Sequence, residues 1–387
     1  MSKSVQRASL RPLRVALDTS FAGVNPTGVG LYSRKLAEHL KGLAAEGRIS
    51  LMCYGPACSN SGAHRLMDTA QEWPTYTQGI LPVQLALTRP QVVHSTSHLG
   101  PLAAPGKLIV TVHDLIFRRF PQDYNRIWLA ITRAMLPSVL RRATAVIADS
   151  HTTVSDLRRF YNLHPDKVHV IYPGIDAEYR QPSGTGMVPS TRNSAALSEH
   201  HSEHPYVLCL GPWVGRKNLH VVVQAFGILA ERIENIEMVI TGSSTRGMKG
   251  AQLEPEIARL PADVRARIRT VGFVENSVLK ALVQGASVLA YPSRFEGFGL
   301  PPLEAMSAGV PVIAADIPVI REVTAGAALL ADVNKPVQWA DLLEAVVTNR
   351  QLAGRLSEDG KKRSTLFSWE RCTLETVALY THVAGMI

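Results

Sequence analysis

Residues 287–315 constrain this chain more than any other stretch, because they read in order as strand, glycine-rich loop, helix, glycine and strand. The segment SVLAYPS (287–293) is apolar and short, as a buried strand should be. Gly297 and Gly299 then open the backbone. Pro301 and Pro302 suit a first helical turn, where a missing N–H costs nothing. Residues 303–308 continue the helix, Gly309 caps it, and residues 310–315 form the next strand. Such a loop suits a phosphate. The helix start presents free N–H groups and the positive end of a dipole, and glycines let a ligand approach the backbone. Glu296 stands in the loop ahead of the glycines. Glu304, read as first-turn, can accept hydrogen bonds from sugar hydroxyls.

A first-turn glutamate alone is a plain dipole effect. Two glutamates with Gly-Phe-Gly-Leu-Pro between them are far more specific. The string resembles the E-x7-E motif of the retaining nucleotide-sugar glycosyltransferases of family 4, which have the GT-B architecture. The resemblance implies that Glu304 holds the nucleotide ribose and that Glu296 lies by the donor sugar. It also implies that the amides of Gly297, Phe298, Gly299 and Leu300 meet the diphosphate or the sugar hydroxyls.

The rest of the chain supports a two-domain α/β protein. At 387 residues it is long for one core. No apolar run approaches the about 18 residues that cross a bilayer. The basic N-terminus lacks the apolar core of a secretory signal, so a cytoplasmic location is the expectation. The four cysteines have no zinc spacing; Cys209 reads as a core thiol. Cys53 and Cys58 are near enough to pair, but a cytoplasmic setting favours free thiols. A net charge of +9 suits anionic substrates or membranes. Nucleic acid is a poor partner, since no recognition motif is present and aromatics are scarce at 6%.

Leu13–Asp18 reads as the first strand, residues 21–32 as a glycine-bearing loop and residues 33–44 as a helix. The G-x-G-x-x-G dinucleotide fingerprint is absent after Gly28 and Gly30, which argues against a nicotinamide enzyme. Further strands at 49–53, 92–95, 108–112 and 145–148 alternate with helices, as in a parallel sheet. The segment Val112-His113-Asp114-Leu115 resembles a family stretch whose histidine contacts the donor sugar, and Gly30 matches a glycine near the diphosphate. A structural histidine and a plain turn are the competing readings for these two. Residues 181–204, rich in Ser, Pro and Gly, read as a linker or surface insertion.

The second half repeats the pattern. A strand at 207–210 is followed by GPWVGRKN (211–218), where Arg216 and Lys217 can neutralise a diphosphate. Lys217 matches the family's basic loop. The arginine usual after that loop's first glycine is replaced by Pro212, so Arg216 would supply the charge. After the strand at 270–274 the family frames the base through backbone groups, here at Val274. The helix read at 125–143 interleaves arginines with apolar residues. Two readings stand open for it: contact with an anionic membrane, or a core-facing helix with a solvated basic side.

These observations and the resemblance imply a metal-independent retaining hexosyltransferase of GT-B fold, with two Rossmann-like doubly wound domains facing across a cleft. The expected division is an acceptor-binding domain at 1–180, a linker at 181–204, a nucleotide-sugar domain at 205–366 and a returning helix at 367–387. The partners implied are a nucleotide sugar and a glycan or polyprenyl-diphosphate-linked acceptor, with peripheral membrane contact and no nucleic acid. No cofactor or metal is expected, since no DxD cluster is present. GDP-mannose is the favoured donor. A UDP-linked glucosyl or N-acetylglucosaminyl donor is the alternative, and a non-catalytic nucleotide-sugar-binding protein is the alternative of another class.

Overall fold

The computed structural model describes residues 12–22, 28–55, 58, 73–180, 204–242 and 253–385. The expected linker at 181–204 lies, save for His204, outside the described residues.

Short, mostly apolar segments become the strands, and the central ones are buried on both faces, as parallel sheets require. The first sheet holds β1 (Leu13–Asp18), β2 (Ile49–Tyr54), β3 (Val92–Ser95), β4 (Lys107–Val112), β5 (Ala145–Ala148) and β6 (Val168–Val170), in the order β2-β1-β3-β4-β5-β6. The second holds β7 (Tyr206–Cys209), β8 (Glu237–Thr241), β9 (Ile268–Gly272), β10 (Val288–Tyr291), β11 (Val312–Ala315) and β12 (Leu329–Ala331), in the order β12-β11-β10-β7-β8-β9. Neighbouring strands run parallel throughout. In each sheet the order reverses between sequential strands, and ligands of open α/β sheets bind at such switch points.

The main helices beside the first sheet are α1 (Gly28–Ala45), α2 (Leu81–Thr88), α3 (Arg126–Arg142) and α4 (His151–Tyr161). Beside the second lie α5 (Leu219–Arg232), α6 (Asn276–Gly285), α7 (Leu300–Ser307), α8 (Pro318–Thr324), α9 (Pro336–Thr348) and α10 (Arg350–Ser364). The last helix, α11 (Trp369–Val383), lies on the first sheet, where Trp369, Cys372, Leu379 and Tyr380 join the core built by β1 and α1. Tyr380 meets His94 at 2.6 Å, and the other nitrogen of that ring meets Thr111 at 2.8 Å. The strand leaving the first half and the one returning run side by side: Ile175 N–H donates to the Phe367 carbonyl. A Cβ on Gly174 would stand 2.2 Å from the Trp369 nitrogen, so that crossing needs a glycine.

Three sequence expectations are corrected. Helix α1 begins at Gly28, so Gly30 stands in its first turn and not in a loop. First-turn N–H groups need no helical partner, and Tyr32, Leu36 and Leu40 supply the buried stripe that carries the helix back past the glycines. Glu304 is the fifth residue of α7, just past the first turn where it was expected, because the helix starts one residue earlier, at Leu300, after Gly299 turns with φ +116°. Cys53 and Cys58 are bonded to each other, with Cα atoms 5.5 Å apart, because a turn at Gly55 folds Cys58 back over the end of β2. In α3, Leu129, Leu136, Val139 and Leu140 enter the core and Arg126, Arg133 and Arg141 face outward, an arrangement common to both readings of this helix. Among the described residues no helix is long and apolar enough to cross a membrane.

Candidate active site

The loops at the carboxyl ends of the two sheets meet directly. Ser150 caps α4 through its hydroxyl and donates to the Gly297 carbonyl at 2.7 Å. A Cβ on Gly297 would stand 2.4 Å from the His113 carbonyl oxygen, so only glycine allows this approach. Arg119 lies over the Phe295 ring at 4.8 Å, and Glu322 of α8 accepts from the His151 N–H at 2.8 Å and the Tyr172 hydroxyl at 3.1 Å. The first turns of α1 and α7 also converge: a Cβ on Gly28 would lie 3.6 Å from the Leu300 side chain. Two helix N-termini therefore open at one place, with their free N–H groups.

Beside them sits a buried charge cluster. Glu296 accepts from Lys217 Nζ at 2.7 Å and from Arg216 Nη1 at 3.2 Å. Burial by itself would raise the Glu296 pKa, but Lys217 and Arg216 outweigh it and bring it down to about 2. Burial likewise depresses Lys217, partly offset by Glu296. Lys217 also reaches the Tyr291 hydroxyl at 3.0 Å. Its position is fixed because the basic loop is tied to the Glu296 loop: Arg294 N–H donates to the Arg216 carbonyl, and the Arg294 side chain to Asn218 Oδ1 at 3.0 Å. Asn218 itself turns with φ 55°, one of the few non-glycine residues to do so.

Glu304 is partly buried one turn above Leu300. Burial and then the nearby Asp176 raise its pKa to about 7, against a hydrogen bond with Tyr179 that lowers it. Asp176 pairs with Lys35 of α1 at 2.8 Å.

The expected residues separate into three groups. Glu296, Arg216 and Lys217 are in mutual contact, and Gly297, Gly299, Leu300 and Glu304 line the adjoining loop and helix start. His113 is differently placed: Nδ1 meets Asp149 at 2.7 Å and Nε2 donates to the Thr96 carbonyl at 3.0 Å. Burial opposes charge on this ring, but Asp149 and the Thr96 carbonyl outweigh it and hold the pKa above the ordinary value. With both nitrogens engaged and Tyr32 packed edge-on at 4.8 Å, His113 braces the first sheet's edge. Phe298 turns its ring away into a cluster with Tyr172 and Phe367, leaving only its backbone toward the loop, and Val274 packs partly against the second core. Sequence reasoning missed Asp149 as the partner of His113, the reach of Ser150 to Gly297, and Asp123, Tyr291 and Glu322. A serine before a helix and a carboxylate after a strand carry no mark of what they touch across the fold.

Residues 27–179 match the family model described as Glycosyltransferase Family 4, and residues 191–363 the one described as Glycosyl transferases group 1. The D-inositol 3-phosphate glycosyltransferase of Corynebacterium glutamicum (strain R) is 29% identical over 284 residues, 70% of this chain and 66% of that protein. The O-antigen chain mannosyltransferase B of Escherichia coli is 27% identical over 278 residues, 71% of this chain and 70% of that protein. Among solved structures, the sucrose-phosphate synthase of Thermosynechococcus elongatus superposes with a TM-score of 0.72 at 20% identity, covering 97% of this chain and 100% of its own. WaaG, a glycosyltransferase involved in lipopolysaccharide biosynthesis, gives 0.66 at 17%, covering 95% and 99%. These two likenesses show the fold.

Proposed function

The chain belongs to the family 4 glycosyltransferases with GT-B architecture, and on that premise we propose that it moves a hexose from a nucleotide diphospho-sugar to a hydroxyl of a glycan or lipid-linked acceptor, with the anomeric configuration retained. The observation that carries this reading is the meeting of two helix N-termini beside partly buried Arg216 and buried Lys217. Both features favour the negative charge that builds on a departing diphosphate. In this reading the amides from Gly297 to Leu300 and the first turn of α1 around Gly30 hold the diphosphate. Glu304, when ionised, accepts from the ribose hydroxyls, and Glu296 accepts from a hydroxyl of the transferred sugar. The backbone near Val274 frames the base. Arg216 and Lys217 supply the charge that a metal supplies elsewhere, so the reaction proceeds without a divalent ion. His113 acts through the loop it braces.

Mannose from GDP-mannose is the donor we favour, because relatives of this chain include O-antigen chain mannosyltransferases of Escherichia coli and Salmonella typhimurium. A UDP-linked glucosyl or N-acetylglucosaminyl donor is the second reading, since a base framed by backbone leaves little trace in side chains. A panel of GDP-mannose, UDP-glucose and UDP-N-acetylglucosamine without metal tests both, read by thermal shift and by transfer or hydrolysis. Selective stabilisation by one donor fixes base and sugar. No shift with any of them refutes transfer.

For a lipid-linked acceptor we propose peripheral contact with an anionic membrane, made by α2 and its surroundings and not by α3 alone. Ile80, Val83 and Leu87 stand outward there, 48%, 62% and 81% exposed. Residues 73–144 carry eight arginines and lysines against two aspartates, Asp114 and Asp123, neither of them fully exposed. Co-sedimentation with vesicles containing phosphatidylglycerol, lost in Val83→Asp/Leu87→Asp and at high salt, is the expected result. Equal binding by that variant refutes the face.

A further inference from the structure

A groove of about 570 Å³ runs between α11 and β6, the edge strand of the first sheet. Residues 371, 375, 379 and 382 share one face of α11 at helical spacing, so that face brings Arg371, Glu375 and His382 to one wall. His169 of β6, His151 at the start of α4, and Tyr172 line the rest. Buried Ile171 and Leu379 give it an apolar floor. Tyr172 packs on Phe298 at 5.9 Å, so an aromatic layer separates the groove from the glycine loop.

The groove has the volume of a small-molecule site, about 300–1,000 Å³. Its side chains select an anion. Arg371 gives Nε to Glu375 at 2.7 Å, which leaves both Nη groups for a ligand. The imidazoles add one N–H donor each when neutral and a second when protonated. A metal ion is a poor occupant: the guanidinium repels it, and among the described residues no three His, Cys, Asp or Glu side chains are placed to hold one. A phosphate monoester offers these donors more acceptor oxygens and more charge than a carboxylate does. The apolar floor suits an organic body on that ester. Without an anion between them the rings resist charge. Burial, and then His382, lower the His169 pKa, against Asp166. Glu322, which adjoins His151, is already held by the His151 N–H and the Tyr172 hydroxyl. A dianion among the rings favours their protonated form, so its binding takes up protons.

We infer that this groove binds a small organic phosphate, with Arg371, His151, His169 and His382 around the phosphoryl oxygens and the body of the ester on Ile171 and Leu379. The site lies apart from the charges assigned to the diphosphate and does not depend on the transfer reading. Its ligand would touch His151 and Tyr172, the residues that hold Glu322 of the second half, and so sits where it can bear on the contact between the halves.

The test is calorimetric titration of the full chain with glucose 6-phosphate at pH 6.5 and pH 8. The second ionisation of a phosphate monoester lies near pH 6, at about 6, so the dianion predominates at both. The expected result is binding about fivefold or more tighter at pH 6.5 than at pH 8. Arg371→Gln should weaken it about tenfold at pH 6.5. His169→Asn/His382→Asn should weaken it and flatten the pH dependence. Circular dichroism checks that both variants fold, and their positions at the groove surface make that the expected outcome. Lys217→Ala should bind the ester as wild type does. No binding by the wild type overturns the inference. So do wild-type affinity in both groove variants, an affinity independent of pH, and loss of binding in Lys217→Ala, which would put the ester among the charges at Glu296. Inorganic phosphate should bind more weakly than the ester; equal affinity overturns the inference as well, since the apolar floor would then hold nothing.

Discussion

Glu304 ties the ligand site to the stability of the apoprotein in a way that can be measured without knowing the acceptor. Burial and Asp176 raise its pKa from 4.5 to about 7. In the unfolded chain the group titrates at its ordinary value, so between pH 4.5 and 7 the folded state holds a proton that the unfolded state has lost. Stability attributable to the neutral carboxyl is therefore complete below pH 4.5 and is lost as pH rises to 7, after which it is flat. At 1.36 kcal/mol per unit the loss is about 3 kcal/mol as an upper value, because the side chain is only partly buried. Glu304→Gln keeps the shape and removes the titration. Denaturant melts of both proteins at pH 5, 6, 7 and 8 should give a difference, variant minus wild type, that grows by about 2–3 kcal/mol across that range. If the ribose hydroxyls donate to the ionised form, donor binding releases a proton below pH 7, and affinity rises up to about tenfold per pH unit there. Parallel pH profiles for variant and wild type would sink the argument for the carboxyl, and a pH-independent donor affinity would sink its role at the ribose.

Three other perturbations address the charge cluster and the contact between the halves. Glu296→Gln leaves Lys217 and Arg216 buried without their counter-charge and should cost about 3–5 kcal/mol of stability; a nucleoside diphosphate should then raise the variant's melting temperature more than the wild type's, and an equal rise would show that the ligand does not use those cations. Lys217→Ala should abolish transfer while the fold, checked by circular dichroism, survives; wild-type rates would remove the lysine from the site. Gly297→Ala places a Cβ 2.4 Å from the His113 carbonyl and 2.7 Å from the Asp114 side chain. The overlap should cost about 1–3 kcal/mol and force the loop off the first sheet's edge, weakening donor binding and turnover together; unchanged kinetics would mean that the two edges need not meet.

The parallel sheets and most strand boundaries were legible because apolar runs between glycine loops have few other solutions. Leu13–Asp18, Val92–Ser95 and Ala145–Ala148 fall where the residues put them. The helix starts were less legible, since Gly28 and Gly30 look like loop and in fact occupy a turn where helix propensity counts for little. Within the site, Glu296, Arg216 and Lys217 could be named because motif spacing survives in one dimension, whereas their mutual neutralisation could not. His113 shows the limit from the other side. Its residue type and its place after a strand suggest contact with a ligand, whereas the holds of Asp149, brought beside it by the neighbouring strand β5, on Nδ1 and of the Thr96 carbonyl on Nε2 leave no mark in the sequence. Asp123 had no local signal at all.

Those misses share a cause that bears on how the protein works. Each involves a contact between distant stretches: Ser150 with Gly297, Arg119 with Phe295, Arg216 with Asp123, the amides at His151 and Thr152 with Glu322. In this arrangement Glu296 neutralises both cations, and its carboxylate oxygen sits where they point. A diphosphate arriving beside them competes for the same N–H groups, so it can be held only as Glu296 gives up part of its hold and turns to another donor. A sugar hydroxyl is such a donor. If the proposed roles hold, the cations that meet the leaving group and the carboxylate that meets the sugar are two ends of one exchange, and a nucleotide without its sugar should be held less well than the intact donor.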